Sequence, residues 1–273
     1  MVPVIEKLLN IDRRIIYLVI GLAVIIPFFI PMRLPIYVSP SVQSVYDYIE
    51  SLPEGSVVLM GFNFSPATKA ELYPMCLAVL RHCYSRKLKA IGMTLNSRAA
   101  TIGDDAMRQA AREYGYEEHK DYTYLGFKSQ MESVMLGIGE DISIPFPKDY
   151  SKTLISQIPM MKDIKNYSDI DLVMDFGSAN TPEAWVAYAG ARYHQTIAAG
   201  CTGVMVSGLY PYLKTGQLIG LIGGLKGAAE YEKLIDKPEK AMLGMKAQSI
   251  AHMVIILLVI FGNVVYLLSR RRA

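Results

Sequence analysis

Polar side chains that can bind a ligand or transfer a proton follow four apolar segments of this 273-residue sequence. Each segment has the composition of a buried β-strand, and each is followed by Ser, Thr, Asn or Asp close to a predicted helix start. Asp175 is the one carboxylate among these side chains, so it is the candidate general acid, general base or cation ligand. Arg98 and Lys214 carry positive charge and would favour a small polar or anionic ligand. The candidate ligand-binding residues are Asn63, Ser65, Asn96, Arg98, Asp175, Ser178, Asn180, Ser207 and Lys214.

These side chains meet only if the strands that carry them are parallel. Predicted strands alternate with predicted helices along the chain, which is typical of a parallel sheet with helices on its faces. In open sheets of this kind, ligands bind outside the carboxyl ends of the strands. The predicted fold class is therefore α/β, a flavodoxin-like or Rossmann-like parallel sheet. The predicted strands are 56–62, 89–95, 122–127, 169–175 and 203–207.

Helix capping is the alternative explanation for the same Ser, Thr and Asn residues. Ser65 precedes Pro66, and Asn180 and Thr181 precede Pro182. Both arrangements are typical of a helix N-terminus. For any single residue, capping explains the composition at least as well as ligand binding does.

The motifs of common nucleotide, hydrolase and metal sites are missing from the sequence. There is no Walker A motif, no Gly-x-Ser-x-Gly, and no Gly-x-Gly-x-x-Gly after a strand. Asp104 and Asp105 stand at a predicted helix start, where carboxylates usually complement the helix dipole. We therefore expect no cofactor, no metal and no catalytic residue, and the sequence favours a protein that is not an enzyme.

Two long uncharged stretches near the chain ends account for the mean hydropathy of +0.24. Residues 15–32 and 249–269 are predicted transmembrane helices, because each approaches the roughly 20 residues that cross a bilayer. Pro27 and Pro31 would kink the first helix or end it early. A buried core helix and a cleaved signal peptide are the alternatives. Flanking basic residues disfavour the first, and the lack of a small-x-small site disfavours the second.

Flanking charges predict the topology. Arg13 and Arg14 precede the first stretch and three arginines follow the second, so both termini are predicted to be cytoplasmic. Four lysines between positions 233 and 246 count against this orientation, although large domains translocate largely regardless of charge. The predicted domains are a cytoplasmic segment 1–14, a first span 15–32, an extracytoplasmic α/β domain 36–245, a second span 249–269 and a basic cytoplasmic tail 270–273.

A glycine-rich segment over 216–227 is the least usual local feature. Gly216, Gly220 and Gly224, and likewise Gly223 and Gly227, recur at spacings of four, which on a helix would form a smooth ridge. Each glycine inside a helix costs about 1 kcal/mol relative to alanine. Such a ridge is expected to permit close approach of another backbone, so these five glycines are the candidate interface residues. A segment that dips into the membrane is the alternative.

Together these features predict a membrane-anchored, non-catalytic subunit or accessory protein of a larger membrane complex. Its expected partners are the lipid bilayer and either other membrane subunits or further copies of itself. The small net charge of +3 is dispersed along the chain, so no nucleic acid is expected. The alternative is a membrane-tethered enzyme or receptor that binds a small polar or anionic ligand at the strand ends.

Overall fold

The computed structural model describes residues 11–30 and 35–270, and its contacts divide the chain into two compact units. One unit is formed by Met1–Pro35 with Met242–Ala273, and the other by Ile36–Ala241. The helices are α1 (Arg13–Ile25), α2 (Pro40–Ser51), α3 (Lys69–Ser85), α4 (Ala100–Tyr114), α5 (Met131–Glu140), α6 (Thr181–Trp185), α7 (Ala191–Tyr193), α8 (Val206–Lys214), α9 (Gly224–Leu234) and α10 (Lys240–Arg270). The strands are β1 (Val57–Asn63), β2 (Lys89–Thr94), β3 (Tyr122–Phe127), β4 (Leu172–Gly177), β5 (Ile197–Cys201) and β6 (Leu221–Gly223).

The terminal unit contains α1 and nearly all of α10. Within the described residues, α10 is the one helix whose length and composition allow it to cross a bilayer. The first predicted span is not supported, because α1 has 13 residues and covers about 20 Å, against a hydrocarbon core of about 30 Å. It ends at Ile25 and gives way to a short 3₁₀ turn that contains Pro27. The end of the predicted span, at Pro31 and Met32, lies outside the described residues.

The Ile36–Ala241 unit is built on a six-stranded parallel sheet with the order β3-β2-β1-β4-β5-β6. This is the strand order of the Rossmann fold, so the predicted α/β class with a parallel sheet is confirmed. From β1 the chain moves to one side through β2 and β3, and then returns to build β4, β5 and β6 on the other side. A crevice for ligands forms where the order reverses, between the carboxyl ends of β1 and β4. Their pairing ends with Asn63 beside Gly177.

Burial on both faces explains the unbroken apolar sequences of the central strands. Every residue of β1 and β4 is buried. Leu59 and Val173 belong to a core cluster that also includes Trp185, Met160 and Met161. Each such side chain contributes roughly 1.5–3 kcal/mol when it leaves water.

The chain between α5 and β4 covers the outer edge of the sheet. The backbone N–H of Tyr150 donates to the carbonyl of Tyr124 on β3 at 2.8 Å, so this edge strand gains a partner outside the sheet. Two 3₁₀ turns, Ile155–Gln157 and Pro159–Met161, lie in this segment. Pro159 has no N–H to continue a longer helix from the first turn.

The strand predicted at 203–207 is wrong, and β5 lies six residues earlier. The helical segment that starts with α6 changes to a π-helical turn over Val186–Gly190 and ends at His194, whose φ is 57°. Val204 is 89% exposed, which no central strand would allow. The Ala-Ala-Gly sequence of β5 has low β propensity, and its place between β4 and β6 determines its structure.

The predicted glycine ridge does not exist, because residues 216–227 do not form one helix. Gly216 and Gly224 have φ values of 73° and 58°, which interrupt a right-handed helix. Between them lies β6, and α9 starts only at Gly224. Gly220 does permit a close approach, but within the domain: a Cβ there would lie 2.8 Å from the carbonyl oxygen of Ser41 on α2. The remaining two members of the predicted ridge, Gly223 and Gly227, end β6 and lie in α9.

Buried carboxylates on α9 hold both ends of the Ile36–Ala241 unit. Near the start of the unit, Glu230 accepts hydrogen bonds from the backbone N–H and the hydroxyl of Ser39, at 2.9 and 2.6 Å. Near its end, Glu232 accepts from the N–H groups of Glu239 and Ala241, both at 2.9 Å. Carboxylates buried this deeply need such partners. The two segments that lead out of the unit are therefore attached to the same helix.

Candidate functional site

Asp175 and Asn63 form the centre of the candidate site, in the crevice between β1 and β4. The Asn63 amide Nδ2 donates to Asp175 Oδ1 at 2.5 Å. Thr181, the first residue of α6, donates its hydroxyl to Asp175 Oδ2 at 2.7 Å. The carboxyl group therefore joins the end of β1 to the start of α6.

Glycines leave the space that the carboxyl group occupies. A Cβ on Gly61 would lie 2.5 Å from Asp175 Oδ1, and one on Gly177 would lie 2.8 Å from Oδ2. Both separations are far shorter than van der Waals contact. Any larger residue at Gly61 or Gly177 would displace the carboxyl group from its hydrogen bonds.

The remaining polar groups of Asn63 extend the network to β2. Its side-chain Oδ1 accepts from the backbone N–H of Leu95 at 2.7 Å, and its carbonyl accepts from the N–H of Ser178 at 3.2 Å. Three strand ends are thus fixed relative to one another by one asparagine. This rigidity is what a site needs to hold a reacting group in place.

Near neutral pH the protonated and ionised forms of Asp175 are similarly populated. The side chain has no solvent exposure, and this burial raises the pKa of Asp175 to about 7, with a smaller contribution from the charge of Glu183. Hydrogen bonds from Thr181 and Asn63 act in the opposite direction and limit the rise of this pKa. A carboxyl group with this pKa can both accept and donate a proton near neutrality.

Two further carboxylates make this end of the sheet acidic. Glu71, in the first turn of α3, accepts from the N–H of Gly203 at 2.9 Å. Glu183 Oε2 is buried without a hydrogen-bond partner in the described part of the chain. Burial and the charges of Glu183, Glu71 and Asp175 together raise the pKa of Cys201 to about 12. The local charge favours a neutral polar or cationic ligand over the anionic one predicted.

Several predicted site residues lie at this edge of the sheet in capping roles. The Asn96 side chain accepts from the N–H of Arg98 at 3.1 Å and caps the turn after β2. The N–H of Ser65 donates to the Thr68 hydroxyl at 3.3 Å, within the turn after β1. The side chains of Arg98 and Asn180 are exposed, and that of Ser178 is half-buried.

The prediction that Lys214 joins the site is wrong. Lys214 ends α8, which starts after the carboxyl end of β5 and returns to the amino end of β6, so it lies at the opposite edge of the sheet. Ser207 lies in the first turn of α8 and is exposed, rather than at a strand end. Both errors follow from placing β5 six residues too late.

Three side chains near Asp175 are absent from the predicted set, namely Thr181, Glu183 and Trp185, and so is Glu71, which contacts Gly203. Thr181 and Trp185 are four residues apart, and this spacing puts both on the helix face that meets the strand end. That signal was present in the sequence, where Thr181 reads only as a cap. The contact between Glu71 and Gly203 joins residues 132 positions apart, and no local pattern predicts it.

One group among the described residues has the composition and spacing of a metal site, although no metal was predicted. It consists of Glu118, His119 and Asp149, whose potential ligand atoms lie within 4.8 Å of one another. Glu118 and His119 precede β3, so the group lies toward the amino ends of the strands, away from Asp175. The ligands come from segments 30 residues apart and form no recognisable motif.

Comparisons with known proteins identify no family for this chain and find solved structures of low similarity. No family model and no curated protein matches it. Similar solved structures include the trehalose-6-phosphate synthase OtsA, at 9% identity and a TM-score of 0.32 over 86% of this chain and 46% of that one. They also include the C-terminal domain of a glycosyl transferase group 1 family protein (LpcC) from Francisella tularensis, at 13% identity and a TM-score of 0.32 over 80% and 94%. A third is AibC, at 11% identity and a TM-score of 0.29 over 89% and 56%.

The prediction of a non-catalytic accessory subunit is corrected by these neighbours. Two of the three are named as enzymes or as a domain of one, so the expectation of a protein without catalysis is withdrawn. This chain spans about half of the synthase. At such identities and TM-scores the similarity assigns no reaction, substrate or cofactor to this chain.

Proposed function

We propose that this protein is a membrane-tethered α/β enzyme in which Asp175 acts as general acid and general base on a small polar ligand. The observation that carries the proposal is the buried carboxyl group between the ends of β1 and β4, whose pKa is about 7. Strongly perturbed carboxyl groups in the crevice of a Rossmann-type sheet are typical of catalytic sites.

The hydrogen bonds of Asp175 define its chemical role. Asn63 and Thr181 hold the two carboxyl oxygens in a fixed orientation. The ionised form accepts a proton from a ligand hydroxyl, and the protonated form donates one to a ligand oxygen. General acid–base catalysis of this kind contributes roughly 10²- to 10⁴-fold to a rate.

Ligand access requires a local movement, because Asp175 has no exposed surface. Residues 178–180, which connect β4 to α6, form a bend whose side chains are half-buried or exposed. Displacement of this bend would open a path to the carboxyl group. The nearby carboxylates Glu71 and Glu183 favour ligands without negative charge.

The proposed activity can be tested on the full chain in detergent micelles. A panel of small neutral polyols, sugars and amides is screened by thermal shift, and each hit is tested for turnover. We expect wild type and the exposed-residue control Asp163→Asn to turn over a hit at equal rates. Asp175→Asn should bind the same compound within about threefold but lose at least about 100-fold in kcat.

A specific pH profile separates this proposal from a binding role. The kcat of wild type should change around pH 7, which reflects the pKa of Asp175. Unchanged turnover in Asp175→Asn would contradict the proposal. Binding without any turnover would instead identify a receptor.

We also propose that α10 anchors the protein in a bilayer, with a cytoplasmic C-terminus and an extracytoplasmic Ile36–Ala241 unit. Arg270 in the last turn of α10 supports this orientation, because basic residues remain on the cytoplasmic side. A second span near the N-terminus is part of the same proposal, as is the absence of nucleic acid among the partners. Protease protection of a C-terminal tag in intact cells tests the orientation. Cleavage of the tag by protease added outside the cells would refute it.

A further inference from the structure

A His–Asp pair with a neighbouring glutamate lies where the turn before β3 meets the hairpin that covers this strand. His119 Nε2 is 2.6 Å from Asp149 Oδ2. Asp149 is buried, whereas His119 and Glu118 are partly exposed. Two carboxylates and an imidazole thus face one point from two chain segments.

Hydrogen bonds orient the Asp149 carboxylate. Its Oδ1 accepts from the backbone N–H of Thr153 at 2.8 Å and from the Ser151 hydroxyl at 2.9 Å. Oδ2 is directed at the imidazole. Carboxylates that ligate metals are held by outer-shell hydrogen bonds in this way.

The arrangement does not fit a nucleophilic triad. Ser151 Oγ is 3.5 Å from His119 Nε2, the same nitrogen that contacts Asp149. In a triad the imidazole uses one nitrogen for the carboxylate and the other for the hydroxyl. Activation of Ser151 as a nucleophile is therefore not supported.

We propose that Glu118, His119 and Asp149 bind a divalent transition-metal ion. One imidazole nitrogen and two carboxylate oxygens form a ligand set suited to zinc and its first-row neighbours rather than to calcium or magnesium, which prefer oxygen ligands alone. Three protein ligands leave a coordination position for water. The site is independent of Asp175 and of the proposed reaction.

Two contacts must change when the metal binds. Ligands on one zinc ion lie about 3.3 Å apart for bonds of about 2.0 Å, so His119 must move away from Asp149 by about 0.7 Å. Glu118 accepts from Arg108 through both carboxylate oxygens, at 3.2 and 3.1 Å, and must free one of them. Arg108 keeps its second partner, Asp104, at 2.9 Å. The imidazole must also be unprotonated, so metal affinity should fall in acid.

The metal would add a link between two segments that meet at the edge strand. Glu118 and His119 belong to the turn before β3, and Asp149 belongs to the hairpin closed by the bridge between Lys148 and Leu154. Binding would reinforce the attachment of this hairpin to β3, which the hydrogen bond from Tyr150 to Tyr124 already provides. The expected consequence is metal-dependent stability of the whole Ile36–Ala241 unit.

Co²⁺ and Zn²⁺ titrations of the full chain in detergent test the proposal. Co²⁺ should produce visible absorption bands typical of four or five ligands, and Zn²⁺ should displace them. At a metal concentration about 100 times Kd, Tm should rise by roughly 5–10 °C. His119→Gln should weaken binding by more than about 100-fold, and Ser151→Ala by about tenfold.

The controls separate metal binding from a structural role of the same residues. His194→Gln removes another histidine with a left-handed backbone and should bind metal as wild type does. Because Asp149→Asn can destabilise the hairpin without metal, the quantity compared is the metal-induced change in Tm within each variant. Absent Co²⁺ bands, or a wild-type response in both His119→Gln and Glu118→Gln, would overturn the proposal. Asp175→Asn, which should lose turnover, should bind metal as wild type does.

Discussion

Replacing Asp175 with asparagine should remove a pH dependence of stability that is opposite to the usual one for a carboxyl group. Burial raises the pKa of Asp175 from 3.8 to about 7. The folded protein therefore binds this proton more tightly than the unfolded chain does. Stability is fully present below about pH 4 and is lost as the pH rises through about 7.

The magnitude follows from the two pKa values. Each pKa unit corresponds to about 1.4 kcal/mol, so ionisation of Asp175 should remove roughly 4 kcal/mol from the free energy of unfolding. Asparagine preserves the hydrogen bonds, because its oxygen accepts from Asn63 and its amide donates to the Thr181 hydroxyl. The substitution itself should cost about 1 kcal/mol at low pH and should stabilise the protein above pH 7.

The chain contains its own reporter for this experiment. The only tryptophan, Trp185, is fully buried and close to Asp175. Urea unfolding of the full chain in detergent is followed by its fluorescence at several pH values between 4.5 and 8.5. The difference in unfolding free energy between wild type and Asp175→Asn at each pH isolates Asp175 from the other titrating groups. Asp163→Asn, at an exposed carboxylate, is the control. Parallel curves of unfolding free energy against pH for wild type and Asp175→Asn would refute the raised pKa of Asp175.

Three further substitutions, with Gly208→Ala as a control for the first, test other parts of the structure. Gly61→Ala should lower the free energy of unfolding by about 2 kcal/mol and abolish activity, because the new Cβ would lie 2.5 Å from Asp175 Oδ1. Gly208 in α8 has open space around it. Gly208→Ala should therefore raise the free energy of unfolding by up to about 1 kcal/mol in the same urea titration. Arg81→Ala should lower the free energy of unfolding by about 3 kcal/mol, because this arginine is 4% exposed and pairs with two partly exposed glutamates at 2.7 and 2.8 Å. High salt should destabilise wild type more than the variant. An equal effect of salt on both proteins would argue against the pairing. Burial lowers the pKa of His82 below its ordinary 6.5. Wild type should therefore lose stability as the pH falls below about 6.5, and His82→Gln should lose less. Equal slopes of unfolding free energy against pH in the two proteins would contradict this.

The sequence predicted the parts of the fold whose local and tertiary preferences agree. β1, β2 and β4 are largely apolar segments followed by polar turns, and they lie side by side in the sheet. β5 was misplaced because its small residues resemble a helix, and only its neighbours make it a strand. The glycine segment was misread because sequence spacing cannot reveal that Gly216 and Gly224 have positive φ.

The centre of the site was predicted, but its surroundings were not. Asn63 is the last residue of β1 and Asp175 lies near the end of β4, and a parallel sheet brings such positions together. The error in β5 carried Lys214 to the wrong edge of the sheet. His82 is 2% exposed, because α3 is covered by α9, and no local pattern predicts this contact between distant segments.

The attachment of both outgoing segments to α9 determines how the Ile36–Ala241 unit responds to mechanical tension. Ser39 and Ala241 are bound by carboxylates only two positions apart on this helix. A pull on either segment therefore loads the hydrogen bonds of these two carboxylates. Loads from the two ends of the unit would meet on α9, which takes no part in the hydrogen bonds of Asp175.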